Sequence, residues 1–134
     1  MKKIASLVMV ALALVGCATV RSVRSDKAVE YPGVPYEDAF KAVKSVYSDL
    51  NAGIEWALQD QGILIGKAKA NWTAADGTAQ TAYTNYEAAF TNNPDSVRIR
   101  MKIYTAFEDG NYRVEGTQEM YDEFWGRLDK ALGQ

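Results

Sequence analysis

Histidine is absent from this chain of 134 residues, and cysteine occurs once. The first absence removes the commonest neutral-pH general base and the commonest transition-metal ligand. A lone Cys excludes an internal disulfide framework and any Cys-based zinc site. Charge of one sign is also lacking. Fifteen Lys and Arg stand against 17 Asp and Glu, a net of −2, so no basic excess points to nucleic acid. No G-x-S-x-G occurs, and a Ser hydrolase would have no His to activate it. The close acidic pairs, Glu37-Asp38, Glu108-Asp109 and Asp122-Glu123, fall at helix starts or a turn, where capping and solubility account for them. Asp76 and Asp95 lie in Gly- or Asn-containing loops without calcium-loop spacing. The expectation is a protein that is not an enzyme and needs no cofactor or metal. At 48% hydrophobic residues the chain is long enough for one domain with a real core.

The amino terminus carries the strongest signal. Met1-Lys2-Lys3 is a short basic start, and Ile4 to Val15 is uncharged and apolar. That run of about 12 residues is too short for the roughly 20 of a spanning helix and right for a signal-peptide core. It ends in Leu14-Val15-Gly16-Cys17, which resembles the lipobox of bacterial lipoproteins. The resemblance implies diacylglyceryl transfer to the Cys17 thiol, cleavage between Gly16 and Cys17 by signal peptidase II, and acylation (palmitate among the chains) of the new amino terminus. Two or more acyl chains anchor stably, each buried CH₂ contributing about 0.8 kcal/mol. The rival reading is an ordinary secretory signal with an incidental Cys. Ala18 follows in place of the Asp associated with inner-membrane retention, so the resemblance implies the outer membrane, periplasmic side. Loss of Lys2 and Lys3 would leave 13 basic and 17 acidic side chains, a net of −4.

Three segments follow from this: 1–16 as signal peptide, 17–34 as lipidated Cys and flexible tether, and 35–134 as a single α+β domain. Ala18 to Val34 shows no sustained period and ends near a Pro-Gly turn signal. As a linker of about 17 residues it would reach about 55–60 Å. A first helix is predicted from Pro35 to about Asn51, with Tyr36, Ala39, Phe40, Val43, Val46, Tyr47 and Leu50 on one stripe and Gly53 as its stop. A final helix is predicted from about Gln118 to Leu132, with Thr117 as N-cap, Gly133 past its end, and a stripe of Tyr121, Phe124, Trp125, Leu128 and Leu132.

Between the helices the turn signals set strand pairing. Asp60-Gln61-Gly62 reads as a three-residue hairpin loop, which pairs Leu58 with Leu64, Trp56 with Gly66, Ile54 with Ala68 and Glu55 with Lys67. A loop over Thr73 to Gly77 puts Leu64, Gly66, Ala68, Ala70 and Trp72 on the side of Ala82, Thr84, Tyr86, Ala88 and Phe90. A loop over Thr91 to Ser96 pairs Phe90 with Val97, Ala88 with Ile99, Tyr86 with Met101 and Thr84 with Ile103. It places Glu87–Arg100, Asn85–Lys102 and Tyr83–Tyr104 on the other face. Asp109-Gly110 is a further turn, after which Tyr112 to Glu115 can add an edge strand. The expected fold is α+β: a two-layer sandwich in which a four-stranded antiparallel meander, or a five-stranded one, carries both terminal helices on one face in the order α-β-β-β-β-α. In outline this is similar to small bacterial envelope lipoproteins and to helix-grip domains of outer-membrane assembly lipoproteins.

The uncovered sheet face would then show Lys67, Lys69, Arg98, Arg100 and Lys102 with Tyr83 and Tyr104 between them, opposed by Glu55 and Glu87. These seven side chains are the candidate interaction face for an anionic partner. The competing account is a solvated face whose charges discourage aggregation. The aromatics Trp56, Trp72, Phe90, Phe107, Phe124 and Trp125 are expected in the core, with Trp72 and Phe107 placed to rim a cleft between sheet and helices. The functional expectation is a non-catalytic interaction module of envelope assembly or maintenance. Its partners would be the membrane, through the lipid anchor, and an envelope protein or anionic envelope component, with no nucleic acid. The alternative is a carrier or sensor of a small amphipathic ligand bound between helices and sheet.

Overall fold

The structure, a computed structural model, describes residues 27–108 and 113–134. The lipobox Leu14-Val15-Gly16-Cys17 and most of the predicted tether lie outside the described residues. In chain order the elements are β1 (Ala28–Pro32), α1 (Tyr36–Asp49), β2 (Gly53–Leu58), a 3₁₀ turn (Gln59–Gln61), β3 (Ile63–Thr73), β4 (Ala79–Asn92), β5 (Ser96–Phe107), β6 (Arg113–Glu115) and α2 (Gln118–Ala131). All strand pairs are antiparallel, in the order β1-β5-β4-β3-β2, and β6 joins β1 on the outer edge of β5.

The α+β class is as expected, with six strands where four or five were predicted. The strand missed is β1, which falls inside the segment expected to be a flexible tether. Val29 and Tyr31 pair with Ile99 and Val97 and are buried, so residues 28–32 belong to the domain. The signal was short, four alternating residues before Pro32, and a Pro without an N–H is tolerated at the end of an edge strand. Tyr31 reaches across the core to donate its hydroxyl to Asp129 Oδ1 at 2.7 Å, tying β1 to α2.

Both helices pack on one face. The even-numbered residues of β3 and β4 and the odd-numbered residues of β5 meet Phe40, Val43 and Tyr47 of α1 and Phe124, Trp125 and Leu128 of α2 in one core. Thr117 caps α2 as predicted, accepting from the Met120 N–H. α1 ends differently from the expectation: Asn51 takes the left-handed conformation at φ 58°, and Gly53 starts β2. Asn tolerates that region better than most residues, so no Gly was required.

Two predicted registers shift. Between β4 and β5, Asn93 N–H donates to the Ser96 carbonyl at 2.9 Å and leaves only Pro94 and Asp95 at the tip. The strands therefore run further than expected, and Ala88 pairs with Met101 and Glu87 with Lys102. This slip of two residues keeps every face assignment. Between β2 and β3 the slip is odd. The 3₁₀ turn and left-handed Gly62 pair Leu58 with Ile63 and Trp56 with Ile65, and a bulge lies between Ile54 and Trp56. An odd slip exchanges faces. The predicted pairs Trp56–Gly66 and Glu55–Lys67 do not form, and Trp56 leaves the core for the open face.

Gly66 serves another purpose. A Cβ there would come within 2.7 Å of the Tyr47 ring, which lies directly over it. Tyr47 O–H donates to the Leu64 carbonyl at 2.9 Å and the Tyr86 carbonyl at 3.1 Å. Burial, with the Glu87 charge adding to it, holds this phenol protonated well above its ordinary range near 10. Its raised value contributes stability that is complete below about pH 10 and is lost as pH rises further, because the unfolded chain ionises first. Gly66→Ala should cost about 1–3 kcal/mol by overpacking against Tyr47, read as a lowered urea midpoint at unchanged slope. Tyr47→Phe should lessen the decline of stability above pH 10 in the same titration.

Candidate functional site

The sheet face away from the helices is assembled in rows by the observed register. One row runs Leu58, Ile63, Ala89, Arg100 and Ala28, and the next Trp56, Ile65, Glu87 and Lys102. Beyond them come Lys67, Asn85, Tyr104 and Glu115, then Lys69, Tyr83, Ala106 and Arg113. On the other flank, Thr91, Arg98 and Glu30 form a row of their own. All seven predicted interaction residues thus share this face. Lys69, Arg98, Arg100 and Lys102 are exposed, and Lys67, Tyr83 and Tyr104 half-buried.

Lys67, Lys102 and Arg113 lie against aromatic rings, and the expected pairs Glu55–Lys67 and Glu87–Arg100 do not form. Lys67 Nζ lies 4.5 Å from the Tyr83 ring centre, Lys102 Nζ 5.8 Å from that of Tyr104, and the Arg113 guanidinium 3.6 Å from the same ring. Such contacts are worth about 0.5–1 kcal/mol at exposed sites and leave the positive charge in place. The acids are engaged elsewhere: Tyr104 O–H donates to Glu87 Oε2, Ser96 O–H donates to Glu30 Oε1 at 2.7 Å, and Glu115 accepts from Tyr121 and pairs with Lys27 at 3.3 Å. Among the described residues, no carboxylate lies within ion-pair distance of Lys67, Lys69, Arg98, Arg100 or Lys102. The Tyr121 hydroxyl, followed by Lys27, lowers the Glu115 carboxyl below its ordinary value, so it stays ionised through mild acid. Partial burial and the Glu87 hydrogen bond raise the Tyr104 phenol.

The sequence reading missed an apolar strip beside the cations. Trp56 is 58% and Leu58 37% exposed, with half-buried Ile63 and Ile65 next to them. Ile54 on the same edge strand is 46% exposed. Trp56 was expected in the core, and the odd register slip is what turned it out. Trp72 was also expected in the core and is 44% exposed, edge-on to Phe107 with ring centres 5.5 Å apart. Phe107 borders an open cleft with Ala79, Gln80, Thr81 and Glu108 at the sheet end, rather than one between sheet and helices.

Two other clefts are open grooves at the ends of the helices. One brings Glu37, Asp38 and Asp60 to its rim, and the other lies between α1 and the end of α2. Among the described residues, no group of three or more Asp, Glu, Cys or His is gathered as metal ligands would be. No described helix is long and apolar enough to cross a membrane.

No family model matches this chain, and no curated protein does. Among solved structures it is similar to a DUF4468 family protein from Bacteroides ovatus, at 11% identity and a TM-score of 0.49, covering 83% of this chain and 89% of that one.

Tyr104→Phe should keep the ring beneath Lys102 and Arg113 while leaving Glu87 without its donor. The expected loss is about 0.5–1.5 kcal/mol in chemical denaturation at neutral pH. An unchanged midpoint would show that the hydroxyl does not order Glu87.

Proposed function

We propose that this protein is a non-catalytic interaction module, held on the periplasmic side of the outer membrane by acyl chains on Cys17, whose open sheet face engages an anionic component of the cell envelope. The observation that carries this reading is the set of Arg98, Arg100, Lys102, Lys67 and Lys69 on one face, none within ion-pair distance of a described carboxylate. Two of these cations stand opposite acids, Arg98 across from Glu30 and Lys102 across from Glu87, whereas Lys67 faces Asn85, Lys69 faces Tyr83 and Arg100 faces Ala89 and Ala28. A bond from a neutral hydroxyl does not cancel a carboxylate's charge, so the positive excess of the face comes from Lys67, Lys69 and Arg100, which no acid opposes across the strands.

The packing favours this reading over a carrier of an amphipathic ligand. A carrier needs a chamber of several hundred cubic ångströms between helices and sheet. Val43, Tyr47, Phe124, Trp125, Leu128 and Met101 fill that space and are fully buried. The described clefts lie at the ends of the elements.

Two outcomes check the proposal. Cys17→Ser should leave an unlipidated, signal-bearing precursor, seen as slower gel migration and loss of radiolabelled palmitate; normal processing would refute the anchor. Replacing Arg98, Arg100 and Lys102 together by Ser should abolish partner capture from the open face while leaving the thermal midpoint within a few degrees, since exposed substitutions typically change stability by less than about 0.5 kcal/mol each.

A further inference from the structure

The geometry points to the leaflet itself as the partner: the open sheet face is an interfacial surface, on which Trp56, Leu58, Ile63 and Ile65 enter the headgroup layer while Arg98, Arg100, Lys102 and Lys67 meet lipid phosphates. This rests on the anchored reading above for the reach of the chain, and otherwise on the face alone.

Four features of the face fit a lipid surface. The first is its division. The rows place apolar side chains on β2 and the start of β3, and cations on β5 and further along β3, so both lie in one plane a few residues wide. Interfacial segments have this composition, with Trp and aliphatic side chains sunk about 5–10 Å and Lys or Arg at the phosphates. The second is charge. The cations lack carboxylate partners within ion-pair distance among the described residues, and anionic headgroups would supply them.

The third is where the chain enters. Ten residues, 18–27, separate Cys17 from β1, a span of at most about 40 Å. β1 begins with Ala28 opposite Arg100, and the Lys27 carbonyl accepts from Met101 N–H. An anchored chain therefore joins the domain at the edge of the basic strand, on the sheet layer rather than the helix layer. A tether of that length holds the face at an effective concentration near millimolar against the leaflet, so weak intrinsic affinity suffices.

The fourth concerns the competing occupant, a second copy pairing along β2. The bulge between Ile54 and Trp56 breaks the regular edge that strand pairing needs.

The test uses residues 18–134, which keep every described element and lack the apolar signal segment. Sedimentation with phosphatidylcholine vesicles, with and without phosphatidylglycerol, should give binding only where the anionic lipid is present, weakening as salt rises. Trp emission should shift to the blue on binding, and Trp56→Phe should remove most of that shift. Replacing Arg98, Arg100 and Lys102 by Ser should lower partition by about 100-fold, and Trp56→Ser by about tenfold, both with unchanged far-ultraviolet dichroism. Binding that is absent, or indifferent to phosphatidylglycerol, would overturn the inference. If crosslinks from the open face in cells then catch an envelope protein, the partner is that protein. If the chain dimerises and buries Trp56, the occupant is a second copy. The vesicle result does not depend on acylation, so a failed anchor, read from Cys17→Ser, is distinguishable from a failed face.

Discussion

Among the described residues, six antiparallel strands offer two broad faces and two helices cover one of them. α1 and α2 both carry a single apolar stripe, and each can bury it only against the same side of the sheet, which leaves the other side to solvent. The helix layer is fixed where Tyr47 lies flat over Gly66 and donates to the Leu64 and Tyr86 carbonyls on neighbouring strands. A side chain at 66 would lift α1 off the centre of the sheet, and the core built by Phe40, Val43, Phe124 and Leu128 would open with it. The one-sided cover is also what makes the opposite face available as a surface. It is rigid because its backbone belongs to the core strands, and rigid elements present side chains with less entropy loss than loops do.

How far the sequence revealed this depended on which property each segment expressed. The helix stripes were legible because many residues repeated one spacing, and Thr117 and Gly133 marked the ends of α2. Face assignment in β3, β4 and β5 was legible for the same reason, since alternation sustained along the middle of each long strand has one sensible solution. Register was not. Alternation has a period of two, so pairings two residues apart satisfy it equally, and the Pro94-Asp95 tip decides between them through one backbone hydrogen bond.

The candidate site divides along the same line. Its seven cationic and tyrosyl members lie on long strands whose faces were secure, and the structure brings all of them together. Trp56 and Leu58 lie on a six-residue edge strand that is exposed throughout. There the alternation was too short to overrule a turn assignment wrong by one residue, and one residue turned Trp56 from core to surface. β1 escaped notice because its apolar content makes sense only beside Val97 and Ile99, far along the chain. What was lost was therefore the contribution of the two outer strands, the parts of a sheet least determined by their own sequence.

Those outer strands also give the open face its character. β5 and the middle strands alone would present a basic plane, suited to any polyanion. β2 adds indole and aliphatic area along one side, and β1 brings the chain in along the other. A purely electrostatic surface binds without orientation and loosens within a Debye length of salt. Apolar side chains at one border give it a direction, because they are stabilised only where a low-dielectric phase or an apolar partner receives them. The bulge at Glu55 strengthens that polarity: it withdraws the β2 backbone from edge pairing and leaves its side chains as the feature presented. Apolar area at β2, the three cations of β5 and chain entry at β1 thus fall in order across the sheet, an arrangement that would give such a face one orientation against a planar anionic surface.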